Sequence, residues 1–374
     1  MRRTYLYKAV INKSAEANCV RWLDLCRGLY NAALEQRIDA YGRCGISLSG
    51  YDQAIELPAL KQVFPEYKTV GSQCLQDVIE RLDKAFKAFF RRLKTSEQPG
   101  FPRFRGRNRY GSFTLKEAGW TLDGRYLHIQ NVGRFKLFLS RPIEGDIKTI
   151  TIRRAPGNRW LIAFSCDNVP IREYPDTDRE LGIDVGIKSF CVDSDGKGIA
   201  NPAYFRASER LLRRRQRSLA RKQRGSNRRS KARVLVGRAH EKIADQRRDF
   251  LHKTANHYIE NYKTIHIESL NIRGMVRNRH LSKSISDSSW GKFFSILSGK
   301  AEEAGRMIVK VPPHGTSQIC SGCGEKVPKS LSVRVHSCSH CGLVLDRDLN
   351  ASINILRLGQ SLQASTWSSG TCVA

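Results

Sequence analysis

The sequence predicts an α+β protein of more than one domain, and three observations carry that expectation. Short runs of alternating apolar and polar residues between 110 and 168, separated by Gly, Pro and Asn, read as a small antiparallel β domain. Apolar residues at helical spacing over 72–94, and less regularly before it, read as amphipathic helices. Beyond 180, strands holding single acids alternate with helical stretches and precede two Cys-x-x-Cys knuckles, which read as a four-cysteine zinc site.

Taken in order, residues 3–11 (RTYLYKAVI) alternate as a strand. Asn18 to Ala40 follows as a helix with Val20, Leu23, Leu29, Tyr30, Ala33 and Leu34 on its apolar face. A loop near 42–50 and Pro65 punctuate the way to the clearest helix, 72–94, whose Leu75, Val78, Ile79, Leu82, Phe86, Phe89, Phe90 and Leu93 make one stripe. The chain breaks at Pro99-Gly100, where Phe101, Phe104, Tyr110 and Phe113 interleave with Arg103, Arg105, Arg107 and Arg109. After YLHIQ, FKLFL, IKTITIRR and RWLIAFSC, composition shifts at 170–180, a linker. LGIDVGIKSFCVDSDGKG then reads as a hairpin of two strands, 206–260 as one long basic helical stretch, and KTIHIESLNI as a strand. A helix near 290–305, the strand RMIVKVPP, the cysteines, a short strand LVLDRD and a helix NASINILRLG close the fold. Residues after about 360 read as a mobile tail.

The 374 residues carry 65 Lys+Arg against 35 Asp+Glu, a formal charge of +30. Such self-repulsion excludes an ordinary enzyme of small neutral metabolites and points to a polyanion, because each phosphate neutralised releases counterions. Between Arg206 and Arg233 there are thirteen basic residues and one acid, Glu209. No stretch approaches the ~20 apolar residues of a membrane span, and MRRTYLYKAVINKS has no signal-peptide core. The eleven cysteines are therefore read in a reducing cytosol, and most of the seven scattered ones as small buried hydrophobes.

Cys320-x2-Cys323 and Cys338-x2-Cys341 stand fourteen residues apart. Four thiolates close a tetrahedron and leave no open position, so the Zn²⁺ they imply is structural.

In so basic a chain, an acid inside an apolar strand needs a reason. Asp184 sits in LGIDVGI, Glu268 in IHIESL and Asp348 in LDRDLN. Buried carboxylates are costly unless a cation or metal pairs them, and hard oxygen ligands favour Mg²⁺ or Mn²⁺. Singly, each has a plainer reading: a turn former, a surface charge, a helix N-cap. Asn350 fits the cap equally, and Asp346 competes with Asp348 for the third position.

IDVGIKSF, IESLNIRGM and TSQICSGCG…CSHCG…DRDLNASINIL, in this order, resemble the TnpB family of transposon-encoded RNA-guided DNA nucleases, apparent ancestors of the type V CRISPR effectors. PGFPRFRGR and SISDSSWGKF belong to the same pattern, so the resemblance covers residues 1 to about 358. It implies a RuvC-like nuclease of the RNase H fold (179–313 and 345–360) with catalytic acids Asp184, Glu268 and Asp348, the last chosen over Asp346 because it lies two residues before Asn350. It further implies a wedge-like β-barrel (1–18 and 97–175), a helical recognition lobe (19–96), the zinc ribbon (314–344) and a tail (361–374).

The implied partners are a noncoding guide RNA and double-stranded target DNA beside a short flanking motif, with no membrane and no small-molecule substrate. The implied location is the cytoplasm of a prokaryote, at the nucleoid. Gln73 and Gln76 are candidates for an adenine edge, Arg103, Arg105 and Arg107 for phosphates beside bases stacked on the interleaved aromatics, and Arg213, Arg214 and Arg217 for a nucleic-acid backbone. The alternatives are an RNA-guided repressor that does not cut, which the intact acidic triad disfavours, and a transposase that acts without guide RNA.

Overall fold

The computed structural model describes residues 1–95, 97–106, 109–330 and 333–368, with side chains to 364. The chain divides into two compact units, Met1–Pro170 and Ile171–Ala374.

In the first unit, strand β1 (Arg3–Ile11) leads into helix α1 (Lys13–Cys44), two short helices α2 (Gly50–Ile55) and α3 (Leu57–Val63), and helix α4 (Ser72–Lys94). Strands β2 (Ser112–Leu115), β3 (Trp120–Asp123), β4 (Tyr126–Ile129), β5 (Gly133–Phe138), β6 (Asp146–Arg154) and β7 (Trp160–Asp167) complete it. Helix α1 outruns the expected 18–40 because both ends are capped. The Asn12 side chain accepts from Ala15 N at 2.8 Å, and Gly45, at φ 67°, donates to the last carbonyls.

The seven strands form an antiparallel sheet in the order β2-β6-β7-β1-β5-β4-β3. Among the described residues this order has two ends, β2 and β3, which a closed barrel would join. Alternation in β1 turns Tyr5, Tyr7 and Ala9 inward. The apolar faces of α1 and α4 enter the same core, where Trp22 meets Phe113 with ring centres 5.3 Å apart. The helices expected as a lobe and the sheet expected as a separate domain thus share one interior.

In the second unit, β8 (Glu180–Val185), β9 (Ser189–Asp193) and β10 (Gly198–Ala200) run as an antiparallel meander. Helices α5 (Tyr204–Ala220) and α6 (Asn227–Asn261) follow as a hairpin, then β11 (Thr264–Glu268), α7 (Ile272–Met275), α8 (Ser282–Ser288), α9 (Trp290–Glu303) and β12 (Met307–Val311). The ribbon strands β13 (Val335–Ser337) and β14 (Val344–Asp346) precede the last helix, α10 (Arg347–Ser368). The main sheet has the order β10-β9-β8-β11-β12, with β8, β11 and β12 parallel.

The expected continuous helix over 206–260 is interrupted at 221–226, where Gly225 takes φ 85° and Ser226 caps α6. Helix α10 also runs through the expected tail start, to Ser368. It lies so close on the sheet that a Cβ at Gly182 would overlap the Ser352 carbonyl, and one at Gly359 would overlap the His266 ring.

Candidate carboxylate site and metal centre

Parallel register sets the first two acids side by side. Ile183 pairs with Ile267, and Asp184 and Glu268 each stand one residue further along, at the ends of β8 and β11. The third acid arrives on α10, with Asp348 Oδ2 close to the space beside Gly186, just past the end of β8. All three are half-buried.

Burial, then the negative charges of Glu268 and Asp348, hold the Asp184 carboxyl well above the usual carboxylate range, against a smaller opposing pull from Arg347. Burial also raises Glu268, opposed by the Thr316 hydroxyl, which donates to Oε1 at 2.6 Å. Arg334 approaches Asp348 Oδ1 at 3.8 Å. Asp346 takes the capping position that the sequence left open, accepting from Asp348 N at 2.8 Å and Leu349 N at 3.3 Å. The Asp348 carboxylate is thereby left out of the cap, and its charge acts on Asp184. Among the described residues, the three acids do not draw together as tightly as the four cysteines.

The four cysteine sulfurs all lie within 4.8 Å of one another, with Cys320–Cys341 and Cys323–Cys338 at 3.6 Å. Four sulfurs ~2.3 Å from one ion stand ~3.8 Å apart, so this cluster fits a tetrahedral Zn²⁺. Desolvation opposes a Cys320 thiolate, yet the N–H groups of Cys323 and Gly322 bring that thiol down to about 7. The Glu325 N–H favours a Cys323 thiolate, while desolvation and the neighbouring sulfurs push it up to about 12. Such a set ionises together only around a cation.

Two asparagines one turn apart on α10 clasp the chain entering the first knuckle. Asn350 accepts from Ser321 N at 2.9 Å and donates to Ile319 O at 2.7 Å. Asn354 donates to Thr316 O at 2.8 Å and Ile319 O at 2.7 Å. These contacts and Thr316 escaped sequence reasoning. The available signal was amides on the inward face of a helix directly after the ribbon.

The expected nucleic-acid residues divide. Arg103 and Arg105 are exposed, with the Arg105 guanidinium over the Tyr30 ring at 5.2 Å, and Arg107 lies outside the described residues. Gln73 is half-buried and lines a cavity of about 250 Å³ with Trp22, Gln130 and Asn131, while Gln76 is exposed. Arg214 and Arg217 are exposed on α5, but Arg213 pairs with Glu209 at 3.0 Å. Arg215 and Arg229 bond carbonyls across the α5–α6 hairpin. Buried Asp287, also unforeseen, accepts from Phe205 N at 3.0 Å and pairs with Arg247 at 2.7 Å, standing in for the cap that Ala203 cannot supply.

Comparison with known proteins gives three family profiles. One, described as a probable transposase, matches residues 163–279; a Cas12f1-like TNB domain matches 290–355; a helix-turn-helix domain matches 1–45, here β1 and a single helix. A Streptomyces pristinaespiralis protein named "Putative RNA-guided DNA endonuclease" is 31% identical over 382 residues, covering 97% of this chain and 91% of that one. InsQ of Escherichia coli K12, with the same designation, is 27% identical over 393 residues, covering 97% and 94%. Among solved structures, the Cas12f1–sgRNA–target DNA complex aligns with TM-score 0.55 at 16% identity, over 92% of this chain and 83% of that one, a likeness of fold. With one relative 31% identical along nearly the whole of both chains, the chain belongs to the OrfB family of IS605-type transposon proteins, together with InsQ and its TnpB-like relatives.

Proposed function

We propose that the chain is an RNA-guided DNA endonuclease, cutting DNA matched by a noncoding guide RNA next to a short flanking motif. The observation that carries this reading is Asp184: in a chain of net charge +30, its carboxyl is acted on more strongly by two further acids, Glu268 and Asp348, than by the cation of Arg347. That donor set fits divalent cations. Asp184, Glu268 and Asp348 would hold Mg²⁺ or Mn²⁺, whose chemistry when bound is to activate a water and stabilise the charge on a phosphodiester. The sheet order β10-β9-β8-β11-β12, a meander continued by parallel strands, supports the RuvC-like, RNase H-type reading of the second unit. The names of the relatives support the RNA-guided activity and the DNA substrate.

Within this reading Asp184 orients the site from the centre of the sheet, Glu268 flanks it on the adjoining strand, and Asp348 closes it from α10. The four cysteines would hold Zn²⁺ and keep the segment before α10 in place. The exposed arginines of α5 and the loop at 101–106 would meet the backbones of RNA and DNA.

The test begins with the RNA that copurifies with the chain, which should be a discrete species ending in variable sequence. Reconstituted with it, the wild-type chain should cut guide-matched DNA in Mg²⁺, and Asp184→Ala should bind that DNA without cutting. Cutting by Asp184→Ala at the wild-type rate would overturn the reading.

A further inference from the structure

We infer that Thr316 is a positioning residue for Glu268, and that through it the ribbon entrance and the carboxylate site move as one body. This rests on the reading of Glu268 as a metal ligand. Thr316 is 4% exposed, and its hydroxyl donates to Glu268 Oε1 at 2.6 Å, the length of a charge-assisted O–H···O⁻ bond. A carboxylate held by one short donor is restricted in its rotamer, and the second oxygen, Oε2, is not engaged by that donor. Hydroxyl and carboxylate sit on segments 48 residues apart, so tertiary structure alone creates the pairing.

Thr316 is itself held. Its carbonyl accepts from Asn354 at 2.8 Å, the same amide grips Ile319 O, and Asn350 fastens Ile319 and Ser321 on either side of the ligand Cys320. Asn350 and Asn354 stand on α10, whose first turn carries Asp348. One hydrogen-bonded block therefore joins the first knuckle, the donor to Glu268 and the helix of Asp348. Outer-shell donors of this kind are typically worth 10–100-fold in metal affinity.

The experiment uses the full chain bound to its copurifying RNA, with the Asp184→Ala complex as the blank for Mn²⁺ held by RNA. Bound Mn²⁺ is followed by electron paramagnetic resonance, alongside zinc content and cleavage as a function of Mg²⁺. Thr316→Val keeps the shape and removes the donor. It should retain one zinc and normal DNA binding, raise the Mn²⁺ midpoint about 10-fold, and recover cleavage as Mg²⁺ is raised. Thr316→Ser, which keeps the hydroxyl, should stay within twofold of wild type, and in a Glu268→Ala background Thr316→Val should shift the midpoint no further.

A Thr316→Val midpoint within twofold of wild type would overturn the inference. So would a 10-fold shift in Thr316→Ser, which would put packing rather than the hydroxyl in control, even if the valine variant fails to fold. If Glu268→Ala itself left Mn²⁺ binding unchanged, the ligand reading would be the one to fall.

Discussion

Asp346 Oδ1 accepts the backbone N–H of Asp348 at 2.8 Å. Two acids two residues apart thus do different work: one caps α10, and the charge of the other acts on Asp184. Asp348→Ala should therefore abolish cleavage of guide-matched DNA while leaving the melting temperature near wild type. Asp346→Ala should do the reverse, lowering stability by about 1 kcal/mol through the lost cap while retaining measurable cleavage. Paired melting and cleavage assays distinguish the two, and equal loss of cleavage in both would contradict the assignment.

Much of this division was not legible in the sequence, and the reasons are local. Asp184 stood out because an acid inside the apolar run LGIDVGI is costly to bury unless a cation or metal pairs it, and the cysteines because their spacing is itself the ligand geometry. Asp346 and Asp348 could be told apart only through the family resemblance, because from the residues alone the choice turns on where a strand ends and a helix begins, a boundary uncertain by a residue or two. The last helix was read only as NASINILRLG, yet Gly359 at its end is a point of close approach to His266, and α10 runs on past it. Thr316 stood inside the quoted TSQICSGCG motif but gave no sign of its partner, since Glu268 lies on β11, 48 residues away, and neither sequence neighbourhood mentions the other. The basic stretch gave its charge but not which arginines the fold consumes.

That last distinction leads to a salt experiment. Arg214 and Arg217 are exposed and have no ion pair among the described residues, whereas Arg215 bonds Leu235 O at 2.9 Å. The double variant Arg214→Ala/Arg217→Ala should keep the wild-type melting temperature and weaken guide-RNA binding. Its slope of log affinity against log salt should fall by about 1.5, since each phosphate contact contributes about 0.7 to 0.9. Arg215→Ala should instead loosen the α5–α6 hairpin and lower stability. An unchanged slope in the double variant would remove these two residues from the nucleic-acid surface.

Asp77 on α4 gives a pH dependence whose sign is fixed. The residue is 8% exposed, Arg81 Nε stands 2.7 Å from its Oδ2, and no hydrogen-bond donor is aligned on that oxygen. Burial therefore outweighs the guanidinium, and the folded-state pKa lies above the ordinary 3.8. In the window above 3.8 the folded chain holds more proton than the unfolded one, so stability from this group is full below that pH and is lost as pH rises through the folded value. Asp77→Asn removes the titration, while Arg81 keeps its bonds to Ser112 O at 2.9 Å and Thr114 Oγ1 at 2.7 Å. The melting temperature of the variant relative to wild type should accordingly climb between about pH 4 and pH 7, read by calorimetry in matched buffers. A difference that is flat or falls over that range would mean that Arg81, not burial, governs the Asp77 carboxyl.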